Sequence, residues 1–129
     1  MKIPNAAESS LYQRIGGYDV IANVIDHLFA LMRADERFSR FSMGRSLDSR
    51  KRAQQLTVQH VCAQAGGPCY YTGRGMRESH AGLNITRAEW DVFLELTREA
   101  LRKNDVASQE EAEFLSLFER YRKDIIEAE

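Results

Sequence analysis

Hydrophobic residues recur at steps of three and four along most of this chain, which is the period of an amphipathic α-helix. The clearest stripe lies within residues 18–33, after the pair Gly16-Gly17, and contains Ile21, Val24, Ile25, Leu28, Phe29 and Met32. A weaker stripe over about residues 48–65 contains Ala53, Leu56, Thr57, Val61 and Ala65, with Asp48 available as N-cap. Two helices are therefore predicted in the first half, and we expect Phe29 to point into the core.

Two further helices are predicted in the second half, each introduced by a capping-box pattern. Thr86-Arg87-Ala88-Glu89 precedes a helical stripe that reaches about residue 103 and contains Trp90, Phe93, Leu94, Thr97 and Leu101. Ser108-Gln109-Glu110-Glu111 has the same form and precedes Phe114, Leu117, Phe118, Tyr121 and Ile125. Apolar and polar residues never alternate over the length of a strand, so we predict an all-α fold with about four long helices.

Length and composition indicate one ordinary globular domain over residues 1–129, in which 1–10 are expected to form a flexible N-terminal extension. A hydrophobic fraction of 43% and a net charge of −1 argue against nucleic acid or an anionic membrane as partner. No apolar run is long enough for a membrane span, and no signal-peptide pattern opens the chain, so a cytoplasmic location is predicted. Cys62 and Cys69 lack a Cys-x-x-Cys motif and are expected to be packed or idle thiols.

Residues 66–84 interrupt the helical pattern with a glycine-rich stretch that is longer than a simple connection requires. It closes on a short predicted helix that ends at His80, since Ala81-Gly82 follows, and Met76 lies four residues earlier on the same face. A single histidine at the end of a short helix, among apolar residues and without a second ligand at zinc spacing, is typical of an axial ligand to a haem iron. The sequence therefore predicts that His80 binds iron.

These motifs resemble those of the truncated haemoglobins, and most closely those of group I. The matching segments are 11–17, the Gly66-Gly67-Pro68 and Tyr71-Thr72-Gly73 motifs, and Met76-x-x-x-His80 with Ile85-Thr86. The resemblance covers about residues 11–126 and implies a two-over-two helical sandwich around a haem. In that family the histidine matching His80 binds the iron, and the protein binds O2, NO or CO. No Cys-x-x-Cys-His motif is present to attach the haem covalently, so haem b is expected.

The distal side departs from the family pattern. Group I members often carry a helix-B tyrosine that hydrogen-bonds bound O2, and the match places Phe29 there. Counting back from Gly66-Gly67, the distal positions of the next helix fall on Ala53, Leu56 and Thr57. The Thr57 hydroxyl is the best remaining donor, with Gln54 as a substitute if the register shifts by one. We therefore expect weaker retention of O2 relative to CO than in tyrosine-bearing relatives.

The same match assigns the other ring contacts. Family members usually have two adjacent phenylalanines after helix B, whereas Phe41 is followed here by Ser42, so the ring contact is assigned to Phe41. Arg77, Arg74 or a cation within 50–52 is expected either to remain solvated or to pair with the haem propionates, and Tyr71 to add a hydrogen bond at that edge. Three residues are expected to belong to the core or to pack on the haem: Met76, Trp90 and Phe93.

Two functions remain open from the sequence. The first is reversible binding of O2 or NO, with NO dioxygenation as its enzymatic form; this requires a separate electron-donating reductase, because the chain has no flavin or nicotinamide fingerprint. The second is a haem-based sensor or electron-transfer module with six-coordinate iron. Its candidate sixth ligands are His60 and His27, although His60 lies about 10 Å along the helix axis from Ala53 and is predicted to be too far from the iron.

Overall fold

The computed structural model describes residues 9–41 and 43–129. The chain forms seven α-helices and one 3-10 helix over these residues: α1 (Leu11–Ile15), α2 (Tyr18–Ala34), the 3-10 helix (Glu36–Phe41), α3 (Leu47–Gln64), α4 (Met76–His80), α5 (Arg87–Lys103), α6 (Ser108–Glu119) and α7 (Arg122–Ile125). The only β-type pairing in this part of the chain is an isolated bridge between Thr86 and Ala128. The all-α prediction is confirmed. None of the helices described is both long and apolar enough to cross a membrane.

Helix α2 joins the two halves of the fold. It packs against both α3 and α5, and α5 also packs against α6. Its inward side chains Ile21, Val24, Ile25 and Leu28 are completely buried, and each contributes about 1.5–3 kcal/mol through that burial. Phe29 differs from its prediction: Leu28 takes the central position, and Phe29 is half-buried at the edge of the core. The pairs α2–α3 and α5–α6 therefore share one apolar core.

The capping box at the start of α5 forms as predicted. The Thr86 hydroxyl oxygen accepts a hydrogen bond from the Glu89 amide at 3.0 Å, and the Glu89 carboxylate accepts one from the Thr86 amide at 2.9 Å. At the start of α3 the cap is Ser46 rather than Asp48, because the Ser46 hydroxyl accepts from the Ser49 amide at 3.1 Å. The sequence pattern thus located α3 and α5 and misplaced the N-cap of α3 by two residues.

The predicted capping box at Ser108 is wrong. Ala107 is the N-cap residue and Ser108 is already helical. The Glu111 carboxylate that the box requires instead pairs with the Arg102 guanidinium at 3.2 Å and is buried there. The predicted last helix is also divided, since α6 ends at Glu119 and a short turn redirects the chain into α7, which packs against α4.

The prediction of idle thiols is wrong, because Cys62 and Cys69 form a disulfide with their Cα atoms 5.8 Å apart. The chain turns back sharply after α3: Gly66 has a φ of +92°, and the Gly67 amide donates to the Cys62 carbonyl at 2.9 Å. A side chain at Gly67 would collide with the Tyr12 ring. The disulfide therefore fastens the start of the glycine-rich segment to the end of α3.

The predicted N-terminal extension falls mostly on residues 1–8, which lie outside the described residues. Ser10, at its end, is the N-cap of α1: its hydroxyl accepts from the Gln13 amide at 3.1 Å. Flexibility of the residues before it stays a prediction.

Candidate functional site

His80 is the last residue of α4, and its imidazole is oriented by its own helix. Its Nδ1 lies 2.8 Å from the Met76 carbonyl oxygen and 2.9 Å from the Ser79 hydroxyl. A carbonyl only accepts hydrogen bonds, so Nδ1 carries a proton in this contact, and in the neutral imidazole Nε2 then presents its lone pair. Nε2 has no hydrogen-bond partner among the described residues. Metal-bound histidines are commonly arranged in this way, with the second ring nitrogen bonded to a carbonyl.

The chain's C-terminal segment holds the backbone on both sides of His80. The Glu127 carboxylate accepts hydrogen bonds from the amides of Gly82 at 3.1 Å and Asn84 at 2.9 Å. The amides of Glu127 and Ala128 both donate to the Ile85 carbonyl. These backbone hydrogen bonds lower the pKa of Glu127 below its ordinary value. We call Asp124, Glu127 and Ala128 the C-terminal clamp.

Arg77 forms an ion pair with this clamp. Its guanidinium pairs with the Asp124 carboxylate at 3.0 Å, so the residue predicted as a propionate partner ties α4 to α7. Tyr71 is similarly engaged, because its hydroxyl donates to the Arg74 carbonyl at 2.5 Å. Burial raises the pKa of the Tyr71 phenol. Sequence reasoning missed the clamp, since Glu127 lies 45 residues from Gly82.

Two predicted distal residues, Phe29 and Ala53, line one cavity of about 80 Å³ between α2, the 3-10 helix and α3, together with Phe41, the predicted ring contact. Met32, Phe38 and three arginines complete its wall. The Thr57 hydroxyl, predicted as the best free donor, instead donates to the Ala53 carbonyl at 2.9 Å. The substitute, Gln54, donates its amide to the Asp26 carboxylate at 3.0 Å. In this arrangement both predicted distal donors are therefore engaged.

His60, on α3, lies between two tyrosine rings. Its ring centroid is 5.2 Å from that of Tyr71 and 4.9 Å from that of Tyr121, with edge-on geometry in both pairs. Burial, and to a lesser extent the charge of His80, lower the pKa of His60. His27 is engaged elsewhere, with its Nδ1 2.8 Å from the Asn104 side-chain nitrogen. Each histidine outside α4 is therefore held by contacts of its own.

The apolar side chains around this region fit a flat, largely apolar cofactor. Phe29, Phe41, Met76 and Phe93 pack against the core but remain partly exposed, and Leu56 is also half-buried. Trp90 is the exception, with 2% exposure and its indole nitrogen donating to Glu119 at 3.4 Å. The main packing partner of α3 is α2, and that of α4 is α7. An imidazole with an unpaired Nε2 and, elsewhere on the core, half-buried phenylalanines are the kinds of ligand and apolar surface that a haem requires.

The sequence of this chain is similar to those of known globins. The family model described as bacterial-like globin matches residues 10–127. A group 1 truncated haemoglobin of Mycolicibacterium paratuberculosis is 32% identical over 110 residues, covering 85% of this chain and 79% of that protein. A group 1 truncated haemoglobin of Tetrahymena pyriformis is 25% identical over 117 residues, covering 91% of this chain and 94% of that protein.

Solved structures show the same fold. The crystal structure of the Tetrahymena pyriformis truncated haemoglobin in its Fe(III) form superposes with a TM-score of 0.84 at 23% identity, covering 92% of this chain and 98% of that chain. The Synechococcus 2/2 haemoglobin with covalently attached haem superposes with a TM-score of 0.81 at 22% identity, with the same coverage. The two-over-two arrangement predicted from the sequence is confirmed. Since the family model spans nearly the whole chain and a group 1 relative exceeds 30% identity, this protein belongs to the truncated haemoglobins within the bacterial-like globin family.

Proposed function

We propose that this protein holds haem b through His80 and binds O2, NO and CO at the iron. Membership of the globin family implies a haem cofactor and the binding of diatomic gases. The observation that carries the finer proposal is the His80 tautomer, since the Met76 carbonyl occupies Nδ1 and leaves Nε2 available to a metal. When bound, the haem supplies a ferrous iron with one open coordination position for a gas.

In this proposal the protein holds the His80 imidazole and keeps water away from the haem. The hydrogen bond from Nδ1 to the Met76 carbonyl fixes the rotation of the imidazole, and the C-terminal clamp fixes the backbone that follows it. Phe29, Phe41 and Phe93 are partly buried against the core, and their apolar rings would keep water away from a bound haem. The protein thereby supplies orientation and low polarity.

The distal side favours weak retention of O2 relative to CO. Phe29 has no hydroxyl, and the Thr57 hydroxyl and the Gln54 amide are both bonded within the protein. A hydrogen bond to O2 in a dry pocket contributes about 1 kcal/mol, whereas CO gains less from a donor. We therefore propose an O2 affinity that is low relative to CO.

We further propose that NO dioxygenation is the enzymatic form of this function, in which NO and O2 yield nitrate. Each turnover then requires one electron from a separate reductase. The support is that family members bind diatomic gases and that part of the cavity wall is apolar, formed by Phe29, Met32 and Phe41 among others. The cytoplasmic location also stays a prediction; a disulfide there is unusual in most organisms, and fractionation of the native host tests it.

The decisive experiment is the absorption spectrum of the purified protein, its His80→Ala variant and a matched His60→Ala variant, in ferric, dithionite-reduced and CO-bound forms. We expect a five-coordinate ferrous spectrum that shifts with CO, lost in His80→Ala and kept in His60→Ala. Release of the haem into acidified acetone would show non-covalent attachment, in contrast to the Synechococcus relative.

Other spectra decide against the proposal. Spectrally unchanged haem in His80→Ala would mean that another residue ligates the iron. A six-coordinate ferrous spectrum that becomes five-coordinate in His60→Ala would favour the sensor or electron-transfer alternative. That state requires His60 to leave its two tyrosine contacts.

A further inference from the structure

The cavity beside Phe29 contains an unusual concentration of positive charge. Its lining includes Arg33, Arg45 and Arg50, and the lining residues that the structure describes include no acidic side chain. We call this the three-arginine cavity. The nearest acid in sequence to Arg33 is Asp35, whose carboxylate is already bonded to Arg37 at 2.6 Å. The three guanidinium charges are therefore not neutralised by the cavity's own walls.

One of these guanidinium groups has an unsatisfied donor. The Arg50 Nε is shielded from solvent and has no hydrogen-bond partner among the described residues. Buried polar groups are nearly always paired, and leaving one unpaired costs free energy until an acceptor is supplied. Arg45 differs, because its Nε and one terminal nitrogen donate to Ser49 at 3.0–3.1 Å. Arg50, a residue of the cavity wall, thus carries a donor without a partner, while the Arg45 guanidinium is held by Ser49.

We propose that the three-arginine cavity binds a small planar oxyanion of the nitrite and nitrate class. Its volume of about 80 Å³ accommodates a few water molecules, and so an ion of three or four atoms rather than a bulky one. A planar oxyanion matches the fork of guanidinium N–H donors. The rest of the wall is apolar, formed by Phe29, Met32 and Phe41 among others, which favours a weakly hydrated monovalent ion over a divalent one.

The position of this site gives it a consequence for gas chemistry, and this part rests on the proposed function. Phe29, Phe41 and Ala53 are the residues proposed to face the distal side of the haem, and they also line the three-arginine cavity. An oxyanion held there lies next to the space where NO chemistry takes place. The cavity then receives an anionic product such as nitrate, or concentrates nitrite before it reaches the iron. Local positive potential of this kind raises the association rates of anions.

Direct detection of the anion uses the ferrous CO-bound protein, in which CO fills the iron's open position and the sample is diamagnetic. Nitrate is titrated into ¹⁵N-labelled protein at constant ionic strength, and the arginine Nε–H signals are followed by NMR. We expect a saturable shift of the Arg50 signal, absent in Arg50→Met. It should persist in Arg52→Gln, which removes a cation of the same helix that does not line the cavity. The bulky anion p-toluenesulfonate should produce no shift.

A kinetic experiment compares the association rate of nitrite, an anion, with that of CO, a neutral ligand. Arg50→Met should slow nitrite association with ferric iron by roughly threefold to tenfold and leave CO association with ferrous iron unchanged. Arg52→Gln should affect neither. An equal slowing of nitrite and CO would overturn the proposal, because it would indicate a distorted pocket rather than a lost charge.

A haem propionate has the same carboxylate chemistry, and the dimethyl ester of haem separates it from a free ion. An Arg50 shift that appears with the ester but not with haem would overturn the proposal, since the propionate would then occupy the site. An unresponsive Arg50 signal in both forms would also overturn it. Failure of the proposed haem function is visible separately, as the absence of a Soret band.

Discussion

The two sides of the candidate haem site are built on opposite principles. Around His80 the polar groups other than Nε2 are paired: Nδ1 with the Met76 carbonyl, Arg77 with Asp124, and Glu127 with two backbone amides. Around Phe29 the wall combines apolar side chains with three arginines, and Arg50 retains a shielded donor without a partner. The His80 side is thus fixed by internal hydrogen bonds, whereas the Phe29 side leaves a guanidinium donor unpaired.

This difference matches what each side has to do. Under the proposed function His80 must stay in one orientation, which its contacts with the Met76 carbonyl and the Ser79 hydroxyl favour, while the C-terminal clamp holds the backbone that follows it. A gas cavity must admit molecules that have little polarity, so the internal bonding of Thr57 and Gln54 keeps their donors away from it. Substitutions on either side of the site test this difference.

The largest stability effect is expected from the disulfide, which fastens α3 of the distal side to the segment leading towards α4. Cross-linking residues seven apart removes unfolded-state entropy equivalent to about 2–3 kcal/mol. Reduction of the wild type and the Cys69→Ala variant should therefore lower the free energy of unfolding by similar amounts in urea titrations. An unfolding midpoint that dithiothreitol leaves unchanged would contradict this. Cys62 is kept because it is completely buried.

The next largest effect is expected on O2 dissociation, from adding a hydrogen-bond donor at Phe29. Phe29→Tyr should place a hydroxyl in the cavity and slow O2 dissociation by roughly tenfold, since one hydrogen bond contributes about 1–1.5 kcal/mol. CO dissociation should change much less. The matched control is Phe93→Tyr, the same chemical change beside Trp90 rather than in the distal cavity. Stopped-flow ligand replacement measures both rates, and an equal change for O2 and CO would argue against a hydrogen bond.

The smallest effect is expected on haem loss, from replacing the carboxylate of Glu127 in the C-terminal clamp. The folded-state pKa of Glu127 lies below its ordinary value of 4.5. Its contribution is therefore fully present above pH 4.5 and is lost as the pH falls through the lowered folded-state value. Glu127→Gln should remove this contribution at neutral pH and speed haem loss. The difference from wild type should shrink in more acidic buffer, as measured by haem transfer to apomyoglobin. A difference that grows on acidification would rule the mechanism out.

Several elements were predictable because their determinants are local. The start of α5 depends on Thr86 and Glu89, three residues apart, and the orientation of His80 depends on Met76, four residues earlier. The Thr57 hydroxyl illustrates the limit of this reasoning: its bond to the Ala53 carbonyl is also local. A threonine within a helix often bonds back to the carbonyl four residues earlier, so this outcome had a signal in the sequence that the family match outweighed.

Other elements were not predictable from local pattern. The Ser108 capping box looked complete, yet Glu111 forms an ion pair with Arg102 on the preceding helix. The disulfide had no motif, and its formation depends on the turn that Gly66 and Gly67 allow after α3. In both cases a side chain with two available partners was assigned by the packing of separate elements.

The residue pattern alone predicts the helical content, most helix boundaries, the family resemblance and His80 as the candidate ligand, because periodicity and capping act between residues a few positions apart. The C-terminal clamp, the disulfide and the three-arginine cavity are visible only in the folded chain. Each of these requires an approach that the chain makes only when its helices pack, such as Glu127 to Gly82 across 45 residues. Long-range pairing depends on the geometry of the whole fold, which no local pattern encodes.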